Sequence, residues 1–366
     1  MTVYLLAGGG TAGHVNPLLA VADRLRERRP DDVVLVLGTA EGLESRLVPA
    51  RGYELLTIAK VPFPRRPNRA AVAFPARFRG SIDDVSTIIA ERGVDVVVGF
   101  GGYVATPAYL AARRAHVPVA IHEANARPGL ANRLGSRWAA AVGVAFGGTP
   151  LRRAEVVGMP LRREIETLDR AALRDEAARF FGLDPARPVL LATGGSLGAR
   201  RINRTMVETA GDLTAAGWQV LHITGAASDV DDPGIPDYRM AEYADRMDLA
   251  LAVADAAVSR AGAATVSELA ALGIPAVYVP YPVGNGEQRF NAADVVAAGG
   301  GVLVDDADFV PDWVRGELVP LLGDRDRVAR MAAAAASVGH RDGTDRMIAL
   351  VDAALGGGAG DTAQGA

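Results

Sequence analysis

The sequence predicts an α/β protein built from two Rossmann-like, doubly wound domains facing a central cleft. Three observations carry that expectation. Short apolar runs alternate with longer amphipathic stretches, the pattern of parallel strands covered by helices. The succession of strand, glycine-rich turn and helix occurs twice, near residues 3–28 and 189–213. A chain of 366 residues also suits two domains of ~100–200 residues each.

The first half opens with the strand Val3–Ala7, the turn Gly8-Gly9-Gly10-Thr11-Ala12-Gly13-His14 and a helix over Leu18–Arg28. Further strands are expected at Val33–Leu37, Leu55–Ile58, Val94–Val98, Val117–Ile121 and Ala141–Val144. The second half begins with a helix over Asp169–Phe181 and the strand Val189–Thr193. The turn Gly194–Arg200 and a helix from about Ile202 follow, then strands at Val220–Thr224, Ala256–Ser259, Ala276–Val279 and Gly301–Val304. The expected domains are 1–160 and 161–340, joined near Val157–Arg162. A C-terminal helix over 341–355 is expected to pack back on the first domain, with a disordered Gly/Ala-rich tail over 356–366.

Composition bounds the function. Hydrophobic residues make up 49% of the chain, enough for two cores, and the net charge of −4 argues against a general nucleic-acid binder. The lack of cysteine excludes disulfides, thiolate catalysis and cysteine–zinc sites. No basic-then-apolar leader precedes the first strand, and no apolar run approaches the ~20 residues of a membrane span. A cytoplasmic protein with peripheral membrane contact is expected.

Four stretches carry chemistry. The first turn satisfies G-x-G-x-x-G through Gly8, Gly10 and Gly13, a pattern that lets backbone amides and a helix dipole meet phosphate. The second turn presents amides and the Ser196 hydroxyl in the same way. In the third stretch, Ser259 to Leu269, Thr265 or Ser267 is placed to cap a helix, with Glu268 in its first turn or on two ribose hydroxyls. The fourth, Asn285 to Asn291, places amides and a carboxylate at a strand end, where a polyhydroxylated ligand finds fixed donors and acceptors. The loops Gly99–Pro107 and Ile121–Asn125 also follow strands. Two Asp-x-Asp patterns, Asp229–Asp231 and Asp306–Asp308, are read as acidic loops, with no metal site expected.

Together these stretches resemble the MurG family, the N-acetylglucosaminyltransferases that make lipid II, a two-domain GT-B design. The motifs are Gly9–His14, Gly99–Tyr103, His122–Asn125, Gly158–Arg162, Gly194–Arg200, Arg260–Glu268 and Gln288–Asn291. The resemblance implies inverting transfer of GlcNAc from UDP-GlcNAc to the MurNAc 4-hydroxyl of an undecaprenyl-diphosphate-linked acceptor, with no cofactor. It places Thr11, Ala12 and Gly13 near the donor sugar and the acceptor diphosphate. Asn125 and Arg162 fall on donor-binding positions, Ser196 beside the donor diphosphate, and Ala244 beside uracil. Ala263, Ala264, Thr265, Val266, Ser267 and Glu268 surround the nucleotide, with Glu268 on the ribose, and Gln288 meets the donor sugar. Cell-wall synthesis and division proteins are implied partners. Ala12 and Leu197 stand where the family usually has glycine and glutamine, and Ser259 replaces a common cysteine. Alanine at position 12 restricts positive φ, so a different turn shape is expected there.

Displacement at the anomeric carbon needs a base near the acceptor hydroxyl. His14 is the candidate, since an imidazole ordinarily titrates near ~6.5. The alternatives are that it packs the loop or binds the acceptor diphosphate. Glu123 is the reserve, with a structural hydrogen-bonding role as its alternative. A stretch without acids runs from Lys60 to Ser81. Its Phe63, Arg65, Arg66, Arg69, Phe74, Arg77, Phe78 and Arg79 suit an anionic membrane surface on the cytoplasmic face. The rival readings are a nicotinamide-dependent oxidoreductase using Gly8–Gly13, with Glu41 as its acid, a UDP-sugar 2-epimerase or other GT-B transferase, and a non-catalytic sugar-nucleotide-binding protein.

Overall fold

The computed structural model describes residues 1–61, 69–195, 198–283 and 286–358. The chain divides into two units, Met1–Arg162 with Arg341–Ala366, and Arg163–His340.

Unit 1 carries a seven-stranded, all-parallel sheet. Its strands are β1 Val3–Gly8, β2 Val33–Gly38, β3 Glu54–Thr57, β4 Val96–Gly101, β5 Val119–Glu123, β6 Ala141–Val144 and β7 Ala154–Val156, in the order β3-β2-β1-β4-β5-β6-β7. Every residue of β1 and of β4 is buried, as expected of strands covered on both faces. Strand order reverses between β1 and β4. Open α/β sheets bind ligands at such a switch point, beyond the carboxyl ends of the strands.

The helix after β1 runs Ala12–Arg28, starting six residues before the Leu18 expected from sequence. Pro17 lies inside it. A proline there removes one intrahelical bond, the one its N–H would make to the Gly13 carbonyl. Arg26 and Arg28 in the last turn complement the helix dipole.

The C-terminal helix Gly343–Gly358 buries Met347, Ile348 and Val351 in the same core as Leu18, Val21 and Leu25. Arg29 clamps it by bonding Asp352 at 2.6 Å and the Tyr4 hydroxyl at 2.6 Å. Gly356–Gly358, expected in the tail, form its last turn. Residues 359–366 lie outside the described residues.

Unit 2 carries six parallel strands, β8 Val189–Thr193, β9 Gln219–Ile223, β10 Tyr238–Ala241, β11 Ala256–Ser259, β12 Ala276–Tyr278 and β13 Gly301–Leu303. Their order, β10-β9-β8-β11-β12-β13, reverses between β8 and β11. Asp169 caps the helix Arg170–Phe181 by accepting from the Ala172 amide at 3.0 Å, and Gly182 ends it in the left-handed conformation.

Each unit holds one fully buried histidine whose charging opposes folding. Burial pushes both His122 in β5 and His222 in β9 down to about 4. The unfolded chain therefore binds more protons than the folded one between about pH 6.5 and 4. Stability is full above that window and falls as pH drops through it, by about 3 kcal/mol per histidine when complete. Urea unfolding at pH 7 and pH 5 checks this. The expected result is a lower midpoint at pH 5, with part of the loss recovered in His222→Gln.

Candidate functional site

Unit 1 places two glycine turns against each other at its switch point. Gly8 ends β1 and pairs with Gly101 of β4 across a register irregularity. Gly10 turns the chain at φ +88°, and Gly102 at φ +80°. A Cβ on Gly102 would stand 2.5 Å from the Gly9 carbonyl oxygen, so the two backbones touch where a side chain has no room.

Thr11 and Ala12 are exposed, and Gly13 and His14 half-buried, at the start of the first helix. Thr11 takes the N-cap position with extended backbone but makes no side-chain cap bond. Ala12 is the first helical residue. It has no positive φ, so alanine carries no left-handed strain here; Gly10 supplies the left-handed residue. His14 Nδ1 lies 3.2 Å from the Gly9 carbonyl oxygen and 3.3 Å from Thr11 Oγ1. A carbonyl only accepts, so this contact is a hydrogen bond when Nδ1 carries the proton, and in the neutral ring Nε2 then keeps its lone pair.

Glu44 holds the other side of this turn. Its Oε2 accepts from the Gly10 amide at 2.8 Å. Its Oε1 accepts from the Thr39 amide at 3.0 Å and hydroxyl at 2.8 Å. The side chain is fully buried, and Gly9, Gly38 and Gly42 leave no space for a Cβ beside it. Burial alone would raise its pKa, but the donors from Gly10 and Thr39 help hold it below the usual carboxylate range. This bears on the dinucleotide reading. Glu41, the acid that reading needs, is exposed, and the Gly10 amide that would meet pyrophosphate is already bonded to a carboxylate.

At the end of β5, Glu123 is buried and accepts from the amides of Asn125 at 2.9 Å and Gly129 at 3.0 Å, and from Asn132 Nδ2 at 2.9 Å. Tyr109 completes the network by donating to Asn132 Oδ1 at 2.7 Å. The geometry gives Glu123 the structural role, shaping the loop that presents Asn125. Arg162 is half-buried at the end of unit 1's first segment.

Unit 2 repeats the arrangement. Gly194 and Gly195 leave β8, and Gly198 lies against the Thr224 carbonyl, where a Cβ would clash. Ser196 and Leu197 lie outside the described residues. A buried relay supports the turn. The Tyr238 hydroxyl bonds His222 Nδ1 at 2.7 Å, and His222 Nε2 meets Asn203 Oδ1 at 3.1 Å. Asn203 Nδ2 donates to the Thr224 carbonyl at 2.8 Å and to Ser228 Oγ at 3.0 Å.

The helix after β11 runs Ala263–Ala271, capped by the extended backbone of Gly262 with no side-chain bond. The expectation that Thr265 or Ser267 caps it is therefore corrected. Glu268 sits in the second turn, half-buried, because the helix begins directly after Gly262. The first amides, at Ala263, Ala264 and Thr265, have no partner within the helix. Val266 is different: its side chain is 2% exposed and its amide bonds the Gly262 carbonyl at 2.9 Å. Ser267 is half-buried, and Ala244 lies in the loop after β10. Gln288, in the helix Glu287–Asn291, accepts from the Tyr281 amide at 2.9 Å.

Arg260 ties these loops together. It donates to the carbonyls of Val279 at 3.1 Å and Pro280 at 3.2 Å, and to Asp306 Oδ1 at 2.6 Å. Arg201 reaches the other oxygen of Asp306 at 3.1 Å. Asp229 pairs with Arg204 at 2.5 Å. The leading acid of each Asp-x-Asp pattern thus faces arginine.

Of the basic patch, Phe63, Arg65 and Arg66 and the side chain of Arg69 lie outside the described residues. On the helix Arg69–Arg92, Phe74 and Phe78 stack at 5.3 Å, Arg77 and Arg79 are exposed, and Val72 is 84% exposed. No described helix is long and apolar enough to cross a membrane.

Two parallel-sheet units, each with a glycine turn at its switch point, have the two-domain GT-B architecture. Residues 4–144 match the glycosyltransferase family 28 N-terminal domain, and residues 189–347 match its C-terminal domain. The chain is 68% identical over 355 residues to the UDP-N-acetylglucosamine–N-acetylmuramyl-(pentapeptide) pyrophosphoryl-undecaprenol N-acetylglucosamine transferase of Leifsonia xyli, covering 97% of this chain and 99% of that one. The Streptomyces avermitilis protein of the same name is 53% identical, over 96% and 98% of the two chains. The crystal structure of Acinetobacter baumannii MurG superposes with a TM-score of 0.78 at 27% identity, covering 96% of this chain and all of that one. The chain belongs to this MurG family.

Proposed function

We propose that this enzyme transfers N-acetylglucosamine from UDP-GlcNAc to the MurNAc 4-hydroxyl of undecaprenyl-diphospho-MurNAc-pentapeptide, converting lipid I to lipid II in peptidoglycan synthesis. The observation that carries the reading is 68% identity, along almost the whole chain, to a transferase of that name. In this reading His14 Nε2 takes the proton of the acceptor hydroxyl as its oxygen attacks the anomeric carbon. The bond to UDP breaks on the opposite face, so the configuration inverts. The amides of the second glycine turn, Ser196 among them, receive the leaving diphosphate, where preorganised donors cost no reorganisation. Glu268 takes the ribose hydroxyls. Thr11, Ala12, Gly13, Asn125, Arg162 and Gln288 line the sugar and diphosphate. The amides of Ala263, Ala264 and Thr265 offer further donors to the nucleotide, Val266 and Ser267 complete that helix turn, and Ala244 lies beside uracil. UDP release from UDP-GlcNAc should appear only when a lipid I analogue is added; release that ignores the acceptor contradicts the reading.

The enzyme acts at the cytoplasmic face of the cell membrane, alongside cell-wall synthesis and division proteins. Phe63, Phe74, Phe78 and the arginines around them meet the anionic lipid surface. The exposed Arg77 and Arg79 beside the stacked Phe74–Phe78 pair support this. Reversing Arg65, Arg66 and Arg69 to glutamate should weaken binding to anionic vesicles by roughly 1 kcal/mol per charge. Unchanged co-sedimentation with those vesicles defeats this assignment.

A further inference from the structure

We propose that Glu44 is a positioning residue for His14, acting through the single peptide group that joins Gly9 to Gly10. This rests on the assignment of His14 as the base. The N–H of that peptide, on Gly10, donates to Glu44 Oε2 at 2.8 Å. Its C=O, on Gly9, receives His14 Nδ1 at 3.2 Å. In a trans peptide these two groups point in opposite directions. Carboxylate, peptide and imidazole therefore form one line, and Nε2 stands at its far end.

The chemistry of the line follows from its charge. A hydrogen bond to an ionised acceptor is roughly twice as strong as a neutral one. It also polarises the peptide, which makes the Gly9 carbonyl a better acceptor for Nδ1–H. The imidazole is thus held in one tautomer and one orientation. Glu44 does for His14, at one peptide's remove, what a directly bonded carboxylate does for other catalytic histidines.

The surroundings are built around this arrangement. Glu44 is buried, Thr39 supplies two more donors to its other oxygen, and Gly9, Gly38 and Gly42 form its walls. Gly102 closes on the Gly9 carbonyl from the facing turn. Three donors from Gly10 and Thr39 converge on Glu44, and a carboxylate accepts at both oxygens. An amide of the same size would pack equally well, but would turn an N–H₂ toward either Gly10 or Thr39.

The test is a long-range ¹H–¹⁵N spectrum of the full-length protein labelled with ¹⁵N-histidine. His14→Asn identifies the signal among five histidines. In its neutral form wild-type His14 should carry the proton on Nδ1; a neutral ring with the proton on Nε2 overturns the proposal with no variant needed. Glu44→Gln should mix the tautomers and lower kcat about 10- to 100-fold, with KM for UDP-GlcNAc within about twofold. A folded Glu44→Gln protein with the wild-type tautomer and kcat also overturns it. Should that variant not fold, Thr39→Ala leaves Glu44 on Gly10 and should keep Nδ1 protonated; its loss there contradicts the proposal. If the tautomer responds to Glu44 but His14→Ala keeps its activity, the positioning stands and the base assignment fails. If His14→Ala is inactive and the tautomer ignores Glu44, the base stands and the positioning fails.

Discussion

Replacing His14 with alanine is expected to lower kcat roughly 10²- to 10⁴-fold, the range for losing a general base. The protein should stay folded, because the imidazole is only half-buried, at the first turn of the helix Ala12–Arg28. KM for UDP-GlcNAc should move little, since the nucleotide is assigned to the other unit. The reason for so large an effect is the tautomer. Nδ1 is committed to the Gly9 carbonyl, so Nε2 is the only ring nitrogen able to receive a proton. Initial rates of UDP release with a lipid I analogue measure this. A loss of only a few-fold removes His14 as the main base and favours its alternatives, loop packing or diphosphate binding.

Gly102→Ala should have the next largest effect. Two costs add at this position. A non-glycine residue at φ +80° costs about 1–2 kcal/mol. The new Cβ also meets the Gly9 carbonyl oxygen, a backbone atom, at 2.5 Å, and forcing a shift in a packed region costs about 1–3 kcal/mol more. The carbonyl that must give way is the one that orients His14, so kcat should fall together with stability. Gly10→Ala is the control. Its φ is +88°, but an added Cβ there has no atom within 4 Å. It should lose only the conformational part, about 1–2 kcal/mol. Equal urea midpoints for the two variants would show that the turns do not touch as described.

How much was legible follows from where the information lies along the chain. Val189–Thr193 and Ala256–Ser259 form strands over the very residues expected, because interior parallel strands are continuous apolar runs bounded by turns. The strands Ala154–Val156 and Tyr238–Ala241 are not predicted by the sequence pattern. Each is short and carries a charged residue inside it, Glu155 and Arg239, so neither shows a continuous apolar run. The first helix begins at Ala12 rather than at the predicted Leu18, because a proline at position 17 reads as a helix boundary.

The same division holds at the site. His14, Asn125 and Glu268 stand in local motifs, so sequence singles them out as candidates. Glu44 does not. Its partners Gly10 and Thr39 lie 34 and 5 residues away, and only the folded turn shows that one carboxylate serves both. Its faint trace is the set of glycines at 9, 38 and 42, which read as turns but are the walls of its cage. Likewise His222, Asn203 and Tyr238 are ordinary core residues until their bonds are seen to converge beneath the second glycine turn.

The stereochemistry and linkage of the product test the account most directly. UDP-GlcNAc and a lipid I analogue are incubated with the enzyme, and the disaccharide is examined by NMR. The account predicts a β linkage to the MurNAc 4-oxygen and one UDP released per disaccharide. An α linkage, or UDP released without a disaccharide, would contradict it.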